Sequence, residues 1–306
     1  MLNLIRIIFY STNRMADCFK NAKLSEASKK QYSSYVAKWL TLGFSSMKEV
    51  LDSPDKAMKA LEALSLTPAT RHAYLSAAVG YILHCVRLDH QGRYKAKWIA
   101  LQKENQKPIR ERYDNQEPTA NQVKNAVSWE QVIKARDANP DNLLLAFYTY
   151  IPPVRADYNS VHLLKPSDPI PKDENYIVMG KDYQLVLQEF KTAKTYTTIE
   201  HVLPEPLKKL LAKSLKERPR TMLFTTKSKE PMTAGWFSEW AARNLSKLIG
   251  KKTSLTALRH AYTHTIDYNQ PYKDLKTITE GMGHSIRSSM LYRSKNEVVM
   301  PKLKSE

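Results

Sequence analysis

The chain has 306 residues, of which 42% are hydrophobic and 25% are charged, and its formal net charge at pH 7 is +18. This hydrophobic content excludes a disordered chain, and the length allows two domains that each have their own core. The large positive charge favours a polyanionic partner, because each lysine or arginine placed on a phosphate releases condensed counterions. We therefore predict nucleic-acid binding.

The cysteines and the first ten residues indicate in which cellular compartment the protein is expected. Cys18 and Cys85 are the two cysteines of the chain, a number that predicts neither a zinc site nor a disulfide framework and fits a reducing compartment. Residues 1–10 are apolar but are interrupted by Arg6, and they are too short to span a bilayer. They lack a small-residue cleavage site, so we predict no signal peptide. Residues 1–23 are assigned to an N-terminal extension.

Residues 24–107 have the pattern of a helical domain. Apolar residues recur there at three- and four-residue steps, and Ser-Pro and Thr-Pro pairs mark helix starts. The predicted helices run over about 24–42, from Pro54 to about 64, from Pro68 onward and over about 94–104.

A polar linker is predicted over residues 108–127, because this stretch contains Pro108 and Pro118 among several Asn, Gln and Glu residues. A capping box follows at Ser128, with Gln131 three residues later. The second domain is therefore predicted over residues 128–306.

The second domain begins with helical and strand patterns. An apolar helix over 141–150 ends at Pro152-Pro153, and Arg155 follows directly. Alternating strands are predicted over 183–190 and 198–203, with two lysines, Lys191 and Lys194, between them. Helices are then predicted over 204–215, over 235–248 and over 256–268. In the second of these helices the residues predicted to face inward are Trp236, Phe237, Trp240 and Leu245.

The C-terminal part of the chain contains an ordered set of polar residues. Arg259 is followed by His260, Gly283-His284 comes within the length of a helix-turn-helix, and Tyr292 lies eight positions after His284. A guanidinium binds two phosphate oxygens in a bidentate manner, an imidazole donates a proton near neutrality, and a phenol can attack phosphorus. This order of residues resembles the catalytic domain of the tyrosine recombinases, the phage-integrase family, and especially its divergent members from eukaryotic DNA viruses and mobile elements.

The resemblance implies a fold class and a catalytic set. The implied fold is mainly α with a small β-sheet, in which a helical core-DNA-binding domain precedes an α+β catalytic domain. The implied catalytic residues are Arg155, Lys191, Arg259, His284 and Tyr292. By this resemblance the arginines and His284 stabilise charge on the phosphate, Tyr292 forms a 3′-phosphotyrosine, and Lys191 protonates the leaving 5′ oxygen.

Some positions depart from the family pattern or leave alternatives open. Lys191 and Lys194 both match the Lys-Thr pair of the family hairpin, so either fits the role of general acid. Many family members have a histidine three residues before the second arginine, where this chain has Thr256. His260 also matches the family and is a further possible catalytic residue. The acid nearest to Arg155 is Asp157, at plus two instead of plus three.

The resemblance also implies partners and a location. The expected partner is double-stranded DNA, bound in part by Lys29, Lys30, Arg71 and His72 of the helical domain, and the expected assembly is a homo-tetramer on paired DNA sites. No metal, cofactor or membrane is expected. The expected location is intracellular, at DNA: the host nucleus or a viral factory for a viral protein, and otherwise the cytoplasm or the nucleoid.

Two other functions agree with the same residues. A type IB topoisomerase-like enzyme shares the chemistry but reseals the same strand. A catalytically inactive DNA-binding protein would keep salt-dependent binding and form no covalent adduct with DNA. A metal-dependent nuclease is disfavoured, because the sequence contains no clustered carboxylates at metal-binding spacing.

Overall fold

The computed structural model describes residues 18–196, 198–269 and 271–292, without the side chains of residues 194, 196, 291 and 292. The protein divides into two compact units, and the boundary lies between Asp114 and Asn115. Within the described residues both units contain helices, and a four-stranded sheet lies in the second unit. The predicted fold class, mainly α with a small β-sheet, is confirmed.

The described part of the N-terminal unit is helical. Its helices are α1 (Glu26–Leu40), α2 (Met47–Asp52), α3 (Pro54–Glu62), α4 (Pro68–Cys85) and α5 (Leu88–Asp114). The side chains of Ser25, Ser46 and Thr67 cap α1, α2 and α4 by accepting a backbone N–H three residues later. The sequence prediction does not include α2, because six residues carry too little periodicity.

Aromatic side chains dominate the core of this unit. Trp39 and Trp98 are fully buried and pack edge to face, with ring centroids 6.0 Å apart. Each indole N–H donates to a backbone carbonyl, of Tyr74 and Leu51 respectively. Phe19 is also fully buried in this core. The unit therefore includes at least one residue that the prediction assigns to the N-terminal extension.

Helix α5 is longer than predicted and contains Pro108 in its interior. Proline lacks the N–H that a helix interior requires, which is why the predicted helix stops near residue 104 and the predicted linker starts at 108. In the structure the residues from Pro108 to Asp114 are helical, and residues 120–124 form a further helix. Much of the segment predicted as a linker is therefore ordered secondary structure.

The two cysteines form a disulfide between Cys18 and Cys85, with Cα atoms 5.3 Å apart. This pairing corrects the prediction that the cysteines form no disulfide. The sequence could not supply it, because the cysteines are 67 positions apart and their proximity depends on how Phe19 and α4 pack. The disulfide joins the start of the described chain to the last residue of α4.

The second unit begins with short helices that lead to the sheet. These are α6 (Ala120–Lys124), α7 (Trp129–Ala138) and α8 (Leu143–Phe147), followed by a 3-10 turn over Asp157–Ser160. The predicted capping box of Ser128 and Gln131 is present at the start of α7. The 3-10 turn leads directly into the first strand.

The sheet has the order β1-β2-β3-β4 and comprises Val161–Leu164, Asn175–Met179, Tyr183–Leu187 and Ile199–Val202. Strands β1 and β2 are parallel, and the other neighbouring pairs are antiparallel. The predicted pair of strands corresponds to β3 and β4. Their connection contains a short helix, α9 (Ala193–Tyr196), so it is not a tight turn.

The remaining helices are α10 (Glu205–Glu217), α11 (Ala234–Ile249), α12 (Leu255–Thr263), α13 (Tyr272–Gly281) and α14 (Ile286–Tyr292). Phe237 and Leu245 of α11 enter the core as predicted, whereas Trp236 is 43% exposed, which corrects its predicted inward orientation. Ile266, Leu275 and Met282 form a smaller apolar cluster separate from the main core. None of the described helices has the length and apolar character needed to cross a membrane.

Candidate active site

Arg155 lies in the turn between α8 and the sheet, and its backbone is held on both sides. The hydroxyl of Tyr148 donates to the Arg155 carbonyl oxygen, and the Arg155 N–H donates to the Asp157 carboxylate at 3.1 Å. Burial raises the pKa of Asp157, while Arg259 and Arg155 act in the opposite direction. An acid at plus two therefore contacts the arginine backbone directly, and its charge also interacts with both guanidinium groups.

Arg259 projects from α12, which starts at Ser254, whose side chain accepts the N–H of Ala257. Leu258 and Ala261 of α12 pack in the main core. Arg259, which lies between them in the sequence, is also buried and is only 1% exposed. Its guanidinium donates to the Met282 carbonyl oxygen at 3.0 Å. A buried charge on a core helix has a fixed position, which suits a residue that must bind an anion with defined geometry.

His284 follows the C-terminus of α13 in a left-handed turn. Gly283 has φ +67°, its N–H donates to the Glu280 carbonyl, and the His284 N–H donates to the Thr279 carbonyl. These two hydrogen bonds form a Schellman motif, which explains why glycine precedes the histidine. A Cβ at Gly283 would also lie 3.3 Å from Thr192 Oγ1 and 3.4 Å from Ile199 Cδ1. The Gly-His pair is therefore required by backbone geometry as well as by chemistry.

The three side chains meet at one point. Arg155 Nη2 lies 3.3 Å from His284 Nε2, and Arg259 Nη2 is also hydrogen-bonded to this nitrogen. Because guanidinium groups only donate, His284 Nε2 accepts both bonds, and the imidazole is neutral with its proton on Nδ1. Burial and the charges of Arg259, Arg155 and His260 lower the pKa of His284 to about 3. The arrangement concentrates positive charge in a buried place, which is suited to an anion.

Acidification is expected to destabilise the protein through His284. Its pKa is about 3 in the folded protein and 6.5 in the unfolded chain, so the unfolded state binds the extra proton. The contribution of His284 to the free energy of unfolding is therefore fully present above pH 6.5, and it is lost as the pH decreases toward 3. One such group changes the free energy of unfolding by about 2 kcal/mol between pH 7 and pH 5. Urea denaturation at several pH values measures this loss.

The control for this prediction is His284→Gln, which cannot titrate. His201 also has a pKa lowered by burial and contributes in the same direction, while Asp157 titrates in the opposite sense. Both groups remain in the variant, so the difference between the two stability profiles isolates His284. Parallel profiles for wild type and variant would contradict the assignment of a buried neutral imidazole.

The segment that carries Lys191 packs on the turn that carries His284. Thr192 Oγ1 donates to the Gly283 carbonyl oxygen at 2.9 Å, and His201 Nε2 lies 3.3 Å from the Gly281 carbonyl oxygen. Lys191 itself is exposed. The sequence analysis did not single out Thr192, although it is the second residue of the Lys-Thr pair. The predicted strand connection and the predicted Gly-His motif are therefore brought together.

The other possible catalytic residues have different surroundings. Lys194 belongs to α9, and its side chain lies outside the described residues. Thr256 is exposed in the first turn of α12. His260 Nε2 lies 3.2 Å from the side-chain nitrogen of Gln122, whose oxygen accepts the N–H of Thr119. The amide nitrogen of Gln122 therefore faces the imidazole of His260, a contact that no sequence motif indicates.

Tyr292 is the last residue of α14, and its hydroxyl lies outside the described side chains. Helix α14 is held by two hydrogen bonds, one to a side chain and one to its backbone. Tyr268 Oη and the buried Ser289 Oγ are 2.7 Å apart, and the side chain of Gln116 donates to the Met290 carbonyl oxygen at 3.0 Å. The helix that carries Tyr292 thus begins two residues after His284 and is attached to the same unit.

The predicted DNA-binding residues of the N-terminal unit lie on two helices. Lys29 of α1 pairs with Glu26 and donates to the Lys20 carbonyl oxygen, while its neighbour Lys30 is exposed. Arg71 and His72 lie near the N-terminus of α4, whose first turn has no acid. Arg71 Nε and His72 Nδ1 are buried and have no hydrogen-bond partner among the described residues.

Within the described residues, no three His, Cys, Asp or Glu side chains are grouped so that they could hold a metal ion. No protein-family model matches the chain, and no curated protein matches it in sequence.

Solved structures that the chain is similar to are those of tyrosine recombinases. They include the XerA recombinase, with 16% identity, a TM-score of 0.37 and 96% of each chain covered. A lambda integrase dimer bound to a COC′ core site has 14% identity, a TM-score of 0.46 and coverage of 97% of this chain and 98% of that one.

A protelomerase covalently complexed with substrate DNA has 14% identity, a TM-score of 0.48 and coverage of 92% of this chain and 94% of that chain. All three TM-scores lie below 0.5, so the function is inferred from the residues of the site.

Proposed function

We propose that this protein is a tyrosine recombinase that cleaves and rejoins DNA strands through a covalent 3′-phosphotyrosine at Tyr292, without metal or ATP. The observation that carries the proposal is the convergence of Arg155 and Arg259 on His284. These residues come from three separate elements, and two cationic forks at one buried point are suited to the non-bridging oxygens of a phosphodiester.

The proposed reaction needs no added energy source. The phenolic oxygen of Tyr292 attacks phosphorus and loses its proton to a water or to a phosphate oxygen. The bond to the 5′ oxygen breaks, and the Lys191 ammonium gives this oxygen its proton. The phosphodiester energy is kept in the protein–DNA bond, so a 5′ hydroxyl reverses the step. When the hydroxyl belongs to a second duplex, the strands are exchanged.

Two observations favour Lys191 over Lys194 as the general acid. Lys191 directly precedes Thr192, which is hydrogen-bonded to the Gly283 carbonyl next to His284. Lys194 lies within the short helix α9, two residues beyond that contact. A residue adjacent to an anchored neighbour loses less conformational freedom when it reaches its target.

The N-terminal unit is proposed to bind the DNA backbone. Arg71 and His72 are candidates, because both are half-buried near the N-terminus of α4, whose first turn carries no acid. Lys30 is exposed and adds a phosphate contact, whereas Lys29 is engaged with Glu26. Assembly as a homo-tetramer on paired DNA sites remains a prediction from the resemblance.

The decisive experiment is covalent capture of DNA in EDTA. The full-length protein is mixed with a library of random-sequence duplexes, SDS is added, and the DNA that stays attached to protein is isolated and sequenced. We expect an adduct through a 3′ phosphate, and mass spectrometry of the digested adduct should find the nucleotide on the peptide that contains Tyr292. The captured ends also define a site from which a nicked suicide duplex can be built.

Each other outcome assigns a different function. Salt-dependent DNA binding without any adduct would overturn the proposal and favour a catalytically inactive DNA-binding protein. An adduct accompanied by relaxation of supercoiled DNA, but by no joining of two captured sites, would favour a topoisomerase-like enzyme. Strand cleavage that disappears in EDTA would exclude the proposed mechanism.

A further inference from the structure

Asn175, the first residue of β2, links two segments of the candidate active site. Its side chain is fully buried. The amide nitrogen donates to the Glu189 carbonyl at 2.8 Å and to the Asp157 carbonyl and Ser160 Oγ at 3.2 Å each. The amide oxygen accepts the backbone N–H groups of Gln188 and Glu189, both at 2.8 Å.

These contacts connect the turn after Arg155 to the chain that leads to Lys191. Asp157 and Ser160 bound the 3-10 turn that follows Arg155, while Gln188 and Glu189 follow the end of β3. Val161 and Asn175 pair across the parallel strands β1 and β2, so the amide is held at a fixed register. One side chain therefore sets the distance between the arginine turn and the base of the lysine segment.

The segment is fixed a second time beyond Lys191. Glu189 is bound by Asn175, and Thr192 is bound to the Gly283 carbonyl. Lys191 lies between these two fixed residues, one of which is tied to the Arg155 turn and the other to the His284 turn. Two anchors of this kind restrict where an exposed lysine can extend.

We propose that Asn175 is a positioning residue for protonation of the leaving group, acting through Lys191. The inference rests on the function proposed above. An asparagine is required because the site needs donors and acceptors on one short side chain. Aspartate cannot donate to the Asp157 and Glu189 carbonyls and would bury a charge, and alanine makes none of the five contacts.

A DNA substrate in which sulfur replaces the leaving 5′ oxygen distinguishes the positioning of Lys191 from a purely structural role of Asn175. In a normal suicide duplex the bond from phosphorus to the 5′ oxygen breaks, and that oxygen takes the lysine proton. When sulfur replaces this oxygen, the bond from phosphorus to sulfur breaks and the sulfur leaves as a thiolate. A thiol has a pKa of about 8.5, whereas that of water is about 15.7, so the thiolate leaves without an acid.

The experiment measures single-turnover cleavage of both duplexes by wild type and Asn175→Ala. We expect Asn175→Ala to cleave the oxygen substrate about 10 to 100 times more slowly than wild type, part of the 10² to 10⁴ attributed to general acid catalysis. On the sulfur substrate its rate should be within about threefold of wild type, as for Lys191→Ala. Arg259→Ala, which affects charge on the phosphate, should remain slow on both substrates.

A second variant covers the case in which Asn175→Ala does not fold. Thr192→Val removes the other anchor with little change of volume, and it should show the same recovery on the sulfur substrate. Equal slowing on both substrates by the variant that folds would overturn the positioning role. If wild type forms no adduct with either substrate, the proposed function itself has failed, and that result is distinct from a failure of the inference.

Discussion

Replacing Tyr292 by phenylalanine is expected to abolish covalent attachment of the protein to DNA while leaving DNA affinity within about twofold of wild type. The change removes one oxygen, the proposed nucleophile, and keeps the aromatic ring. Helix α14 is held through the Ser289 side chain and the Met290 carbonyl oxygen, so the substitution should not displace the helix. The loss of adduct should be complete within detection.

The measurement is SDS gel electrophoresis of the protein with the nicked suicide duplex. Tyr262→Phe and Tyr268→Phe are matched controls from the same region. The ring of Tyr262 packs on Trp129 with centroids 5.1 Å apart, and the hydroxyl of Tyr268 is hydrogen-bonded to Ser289. We expect Tyr262→Phe to retain the adduct and Tyr268→Phe to reduce its rate only modestly. An adduct formed by Tyr292→Phe and lost in a control would move the nucleophile to that tyrosine.

Arg259→Ala is expected to lower the rate of strand cleavage by about 10³-fold, because it removes a preorganised donor from the developing phosphate charge. Arg259 also binds the Met282 carbonyl and His284, so the variant loses the support that holds these groups in place. Arg259→Lys retains the charge without the planar fork, and its rate should remain at least about tenfold below wild type.

Because Arg259 is only 1% exposed, its removal is also expected to destabilise the fold. Cleavage is therefore measured in single-turnover experiments well below the melting temperature of each variant. Arg243, an exposed arginine on α11, provides the matched control, and Arg243→Ala should cleave at nearly the wild-type rate. Cleavage by Arg259→Ala within tenfold of wild type would place its guanidinium away from the reacting phosphate.

The sequence was informative where residue type and backbone geometry impose the same requirement. Gly283 is needed for a left-handed turn and His284 for its imidazole, so the motif that predicts a site residue also lies at a helix end in the structure. The prolines before Arg155 likewise predict a turn after a buried helix. Arg155, Arg259 and His284 meet in the structure, and their catalytic roles stay a prediction.

The sequence was uninformative where an interaction joins distant segments. Strands β1 and β2 are absent from the prediction, because four and five residues flank a stretch rich in proline and aspartate that has the composition of a loop. Asn175 ends that stretch and would be interpreted as a turn residue. Its role depends on backbone groups of residues 157 and 189, whose positions are known only once the sheet has formed.

The charge state of His284 could not be predicted for a similar reason. A histidine in this motif is expected to donate a hydrogen bond near neutral pH. In the folded protein two guanidinium groups donate to its Nε2 atom, so it accepts instead. A phosphate that displaced the imidazole of His284 from the two guanidinium groups would change the hydrogen-bond partners of Arg155, Arg259 and His284 together.

The Cys18–Cys85 pair makes the thermodynamics of the N-terminal unit depend on its surroundings. A cross-link that encloses 67 positions lowers the chain entropy of the unfolded state, an effect of about 4 kcal/mol. Glutathione in a reducing cytosol would keep both thiols free, and the unit would then depend on its tryptophan-centred packing. Protein handled in air and protein inside such a cell would accordingly differ in the resistance of this unit to heat and proteases, although their amino-acid sequences are identical.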